Sequence, residues 1–207
     1  MMRAGLGLCS VLLGCSVERV SPDPVQAPFT VSDYYVASGF MGDASVTGRT
    51  PEPMSLRYDA CLPRPADAHG DCYRFDYTPV PIAEGGVGWG GVYWQSPANN
   101  WGQDSPLKVQ PNATRVSFLA AGKTGGEIAM FLAAGLEATN PEGAPLPHGD
   151  TFKGTLDVTL TLTLTRYEIP LPAGQLYDHV TGAFGFSLTA LGPDSQTLFL
   201  DDVRWLP

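Results

Sequence analysis

Residues 155–171 read TLDVTLTLTLTRYEIPL. Leu156, Val158, Leu160, Leu162 and Leu164 alternate with Asp157, Thr159, Thr161, Thr163 and Thr165. Side chains on a strand alternate between faces, so this run has one apolar face and one hydroxyl-rich face. That is the signature of a strand lying on a core with its other face in solvent, and it excludes a helix. The run is longer than an ordinary strand, so a turn or bulge is expected near Leu162 or Thr163.

The rest of the chain carries the same period with turn punctuation. Further strands are expected at Thr30–Val36, Leu56–Cys61, Asp71–Tyr77, Gly91–Gln95, Thr114–Ala120, Glu127–Leu132, Ala183–Thr189 and Thr197–Trp205. EIAMFLAAGLEA could pass for a helix, but Gly125-Gly126 before it and Gly135 inside it favour a strand. With 24 Gly, 19 Pro and only 16% charged residues, the composition suits short strands joined by many loops. The fold class expected is all-β: two antiparallel sheets packed as a sandwich.

The N-terminus is organised differently. Arg3 precedes an apolar run, Ala4 to Leu13, too short for a permanent membrane helix. The run ends in Leu12-Leu13-Gly14-Cys15, which resembles a bacterial lipobox. That resemblance implies a signal peptide over 1–14 and acylation of Cys15. A Pro-rich tether would follow to residue 27, then one domain over 28–207. An ordinary signal peptide with an incidental cysteine is the alternative. Ser16 after Cys15 favours the outer membrane by the same family rule. Outside the cytoplasm, Cys61 and Cys72 read as one disulfide closing CLPRPADAHGDC. Zinc is the weaker reading, since no second cysteine pair accompanies them. The net charge is −9 with no basic patch. This argues against nucleic acid, and against membrane contact beyond the anchor. A monomer is expected.

The C-terminal half runs ATRVSFLAAG, GGEIAMFLAAG, DTFKGTLDVTLTL, RYEIPL, TGAFGFSL and TLFLDDVRW. This order resembles the jelly-roll carbohydrate-binding modules of the galactose-binding-like superfamily, closely over 113–205 and loosely over 28–112. The resemblance implies a jelly-roll sandwich. It also implies a structural calcium, with the first Asp of the closing pair, Asp201, tying the last strand to an N-terminal loop. SGFMGDAS would be that loop, offering Asp43. The alternative is Asp201 accepting backbone N–H bonds or pairing with Arg204 or Arg115. Alternation along a strand would send only one of Asp201 and Asp202 inward.

The segment GGVGWGGVYWQSPANNWG, residues 85–102, carries the chemistry. A sugar ring needs an aromatic platform for its C–H face and amides or carboxylates for its hydroxyl edge. Trp89, Tyr93, Trp94 and Trp101 supply the first, and Gln95 and Asn100 the second. Val92 and Trp94 share one strand face and Tyr93 and Gln95 the other, so one of the two aromatics is expected in the core. Catalytic motifs are absent: the chain has no GxSxG, no HExxH and no complete phosphate loop. Two-carboxylate hydrolysis would need members of Glu84, Glu127 and Asp150 to converge. The primary expectation is a non-catalytic, surface-tethered glycan-binding domain. The alternatives are a structural or protein-interaction domain of the cell envelope, and a glycan-active hydrolase or lyase.

Overall fold

The computed structural model describes residues 23–58, 62–110, 112–136, 139, 143–172 and 177–207. The expected signal peptide, Cys15, most of the tether, and Cys61 lie outside them. Among the described residues thirteen strands follow in order: β1 (Phe29–Thr30), β2 (Val36–Gly42), β3 (Met54–Tyr58), β4 (Tyr73–Tyr77), β5 (Trp89–Gln95), β6 (Leu107–Val109), β7 (Arg115–Gly122), β8 (Ile128–Ala134), β9 (Lys153–Thr159), β10 (Thr165–Pro170), β11 (Tyr177–Val180), β12 (Gly182–Thr189) and β13 (Gln196–Leu206). One sheet has the order β2-β5-β12-β8-β9; the other has β10-β7-β13-β4-β3, with β1 added to β13. β11 and β6 form a separate small pair.

The pairing defines a jelly roll. Among β4, β5, β7, β8, β9, β10, β12 and β13, the first pairs with the last, and β5 pairs with β12. β7 then pairs with β10, and β8 with β9. Successive pairs fall in alternate sheets, so the chain is one long antiparallel ribbon rolled on itself.

The alternating segment shows why. β9 lies in one sheet and β10 in the other, and residues 160–164 carry the chain across. The crossover is held by backbone bonds: Leu160 N–H donates to Glu127 O, Gly122 N–H to Thr161 O and Gly126 N–H to Leu160 O, each at 2.8 Å. Leu160 is buried, whereas Leu162 is 60% exposed. The expected break near Leu162 is therefore a change of sheet, and the apolar parity that holds through Leu160 ends there.

The core between the sheets is aromatic. Trp94, Phe75, Phe118, Phe131, Phe184, Phe186 and Trp205 are fully buried. They meet mostly edge-on or tilted, as in Phe75 against Phe186 with centroids 4.7 Å apart. Two sequence expectations shift. Thr30–Val36 is not one strand: Val31–Asp33 forms a 3-10 turn, and the strand begins at Val36. The domain also starts before Pro28, because Val25 bridges to Val109 and both Val25 and Ala27 are buried. Within β2 the register slips between Ala37 and Gly39, so Ser38 bulges from the ladder.

Candidate functional site

The outer face of the β2-β5-β12-β8-β9 sheet carries a groove of about 460 Å³. One row crosses all five strands in register: Met41, Gly91, Ser187, Met130 and Asp157. Small residues at the centre keep the floor low. A Cβ at Gly91 would lie 2.2 Å from Phe186 O, so only glycine fits there. Met41 and Met130 form apolar walls, and Lys153, Asp157, Ser187 and Thr189 supply polar groups. Trp89 stands at the β5 end of this face, 37% exposed. Its indole lies over Gly42, where a Cβ would come within 2.8 Å of the ring. Close contact with Gly42 thereby sets the position of the ring while part of the residue stays exposed.

Tyr93 also faces the groove, but its ring lies flat on β12 and is only 5% exposed. A Cβ at Gly185 would sit 2.7 Å from its Cδ1, and its hydroxyl donates to Gly135 O at 3.4 Å. Leu132 and Leu136 pack with it. Trp101 packs on the same cluster while lining a neighbouring pocket with Ser38, Phe40 and Asn99. Trp89, Tyr93 and Trp101 are thus brought to one side of the sheet.

Three expected site residues are not presented to a ligand. Trp94 faces inward with Val92; it is fully buried, and its Nε1–H donates to the Tyr73 hydroxyl at 3.2 Å. Asn100 is saturated within its own loop. Its Nδ2 donates to Ser96 O and Asp104 O, and its Oδ1 accepts from the N–H groups of Gly102 and Asp104. Gln95 lies on the Tyr93 face but is fully buried under Gly39, with its Oε1 accepting from Ser38 Oγ at 3.0 Å.

The groove residues that sequence reasoning missed are Asp157, Lys153, Ser187, Thr189, Met41 and Met130. Asp157 was within reach, being the carboxylate on the hydroxyl face of the alternating segment. The others depend on which strands become neighbours.

Asp201 and Asp43 do not fit a shared calcium site. Asp43 is fully buried, and its oxygens take the Tyr77 hydroxyl at 2.7 Å, Val80 N–H at 3.0 Å and Val87 N–H at 2.7 Å. Asp201 Oδ1 takes the Arg64 guanidinium at 2.8 Å. Asp201 Oδ2 has no hydrogen-bond partner among the described residues, a feature a cation could satisfy. A guanidinium on the same carboxylate opposes a dication there by like charge. The register separates the two aspartates as well: Asp43 joins Tyr77, opposite Gln196, whereas Asp201 lies beyond Leu200, opposite Tyr73. No group of three His, Cys, Asp or Glu among the described residues converges as metal ligands.

Both Asp201 and Asp202 are fully buried, against the expectation of one. The register breaks between Asp201 and Arg204, and Asp202 adopts φ 50°. Asp202 then ion-pairs with Arg166 at 2.7 Å and Arg204 at 2.9 Å. The expected partner Arg204 therefore serves the neighbouring carboxylate, and Arg64 serves Asp201.

The carboxylates considered for hydrolysis occupy separate settings. Glu84 pairs with Arg49 at 2.7 Å, and Glu127 accepts from Thr124 N–H and Oγ–H. Asp150 accepts from the N–H groups of Leu136 and Thr181. Burial pushes the Asp150 carboxyl up to about 7 despite these bonds.

No family profile matches the sequence, and no curated protein matches it. Solved structures do resemble the fold. A family 11 carbohydrate-binding module of the cellulosomal cellulase Lic26A-Cel5E of Clostridium thermocellum is 13% identical, covers 88% of this chain and 95% of its own, and has a TM-score of 0.45. A family 30 module of the cellulase Cel9D-Cel44B of the same organism is 18% identical over 87% of this chain and 92% of its own, at 0.43. The tailspike protein 4 of bacteriophage CBA120 is 8% identical over 86% of this chain and 20% of its own, at 0.45. Similarity this distant says nothing about a ligand.

Proposed function

We propose that this is a carbohydrate-binding domain without catalytic chemistry of its own. A glycan would lie along the outer groove of the β2-β5-β12-β8-β9 sheet. The observation that carries this reading is the half-exposed indole of Trp89, fixed over Gly42 in the same groove as Asp157, Lys153, Ser187 and Thr189. An apolar C–H face of a sugar stacks on such a ring, and its hydroxyls need the polar groups beside it. The row from Met41 to Asp157 spans four inter-strand gaps, roughly 19 Å, enough for a chain of sugars instead of a single one. Trp101 extends the aromatic surface past β2.

Retention of the purified chain on a polysaccharide panel tests this. Retention lost in Trp89→Ala and weakened in Asp157→Ala places the ligand in the groove. Retention unchanged by both moves the reading to a structural or protein-interaction domain of the envelope.

The placement proposed is the outer membrane of a bacterium, through lipid on Cys15. Incorporation of a labelled fatty acid, abolished by Cys15→Ser, is the expected result. Labelling that survives the substitution rules out this anchor.

A further inference from the structure

The end of the sandwich next to Trp89 has an unusual surface. Ile82 is 72% exposed, and Val87 and Leu191 are each 55% exposed. A pocket of about 400 Å³ opens beside Ile82, walled by Pro79, Pro81, Ile82, Gly88, Ala190 and Pro193, among others, with no charged side chain among its described lining residues; Val87 and Leu191 adjoin the wall residues Gly88 and Ala190 in the chain. Gly88 belongs to this pocket and also to the groove, so the two cavities adjoin.

This apolar end is built rigidly. Asp43, deep in the fold, accepts from Val80 N–H and Val87 N–H and so fixes both ends of the 80–87 loop. Ala190 N–H donates to Gly88 O at 2.9 Å, tying that loop to the one after β12. Thr78 Oγ and Ser195 Oγ bond at 2.7 Å on the far side. A buried carboxylate needs such donors to be tolerated, and here they also hold exposed apolar side chains in place. Exposed apolar surface that is preorganised and continuous with a ligand groove marks a binding site more than a loose loop does.

We infer that the pocket takes an apolar substituent attached to the sugar in the groove, so that the ligand is an amphiphilic glycoside and not a bare polysaccharide. This rests on the groove reading above. Trp89 would meet the terminal sugar, and the substituent would pass over Gly88 into the pocket beside Ile82.

A series of methyl, butyl and hexyl β-glucosides, titrated against the full chain by Trp fluorescence, tests it. Each buried methylene is worth about 0.8 kcal/mol, or roughly fourfold in affinity. The expected result is a stepwise rise along the series in the parent chain and a flat series in Ile82→Asp/Leu191→Asp. Both side chains are exposed, so that variant keeps the fold. Trp89→Ala should weaken every member by a similar factor. A flat series in the parent chain, or no binding by the hexyl compound, overturns the inference whatever polysaccharides are retained. If n-hexanol binds as tightly as hexyl glucoside and Trp89→Ala changes neither, the groove reading fails and the role assigned to the substituent falls with it.

Discussion

Truncating Trp89 to alanine isolates the stacking contribution. The side chain is 37% exposed. A tryptophan presents on the order of 250 Å², so about 90 Å² of indole is available to a ligand. At about 25 cal/mol per Å² this is worth ~2 kcal/mol, or roughly 30-fold in affinity. The buried part of the ring rests on Gly42, so the variant also loses some stability, and thermal melting must accompany binding. Isothermal titration with the best-retained glycan gives the affinity ratio. Trp89→Phe should recover part of the loss, because a smaller ring still covers Gly42 and still presents a π face. A folded Trp89→Ala chain that binds within twofold of the parent would refute stacking on this residue. So would a Trp89→Phe variant as weak as the alanine.

Other perturbations separate scaffold from site. The folded Asp150 carboxyl sits at about 7 against an ordinary 3.8, so the folded chain holds a proton that the unfolded chain releases. Stability should therefore fall as pH rises from about 4 to about 7, by up to ~1.4 kcal/mol per unit, and Asp150→Asn should flatten that slope in urea melts; an unchanged slope dismisses the assignment. Chelation or added calcium should leave the melting midpoint unchanged, since Asp43 is filled by protein donors and the Arg64 guanidinium sits on Asp201, and a calcium-dependent rise would contradict this. Cys72 is buried just before β4, and its expected bond to Cys61 would close a short loop. Cys72→Ser should then cost about 3 kcal/mol, with mass spectrometry under non-reducing conditions reporting the pair directly. Asn100→Ala should destabilise the 96–104 loop and lower the melting temperature, while leaving glycan affinity in the folded fraction nearly intact.

The architecture was legible because it depends on local alternation. The leucine–threonine run fixed one face of β9, and a stretch too long for one strand located the passage to the other sheet. Parity along β5 was also legible: Val92 and Trp94 had to share a face. Which face met the core was not, because Trp94 and Tyr93 serve equally well as core or platform until their neighbours are known. Asn100 shows a second limit. Its four hydrogen bonds all end within a few residues, yet nothing in its identity separates a loop organiser from a sugar contact. Asp43, Asp201 and Asp202 show a third. Their partners Tyr77, Arg64 and Arg166 come from distant segments, and a bulge near Asp202 breaks the alternation from which the expectation was drawn.

The edges of the two sheets bear on how such domains behave at high concentration. β9 carries Lys153 and Asp157 on its outer face, β10 carries Arg166 and Glu168 and ends in Pro170, and β3 carries Arg57 after Pro51 and Pro53. β2 has no charge in Val36–Gly42, and it is the edge strand in which Ser38 bulges and breaks the ladder. Charges, prolines and a bulge each spoil the template that an open strand offers to a neighbour. Each edge therefore carries its own guard against fibrous or edge-to-edge association, and high local concentrations should remain colloidally stable while the broad groove face stays open.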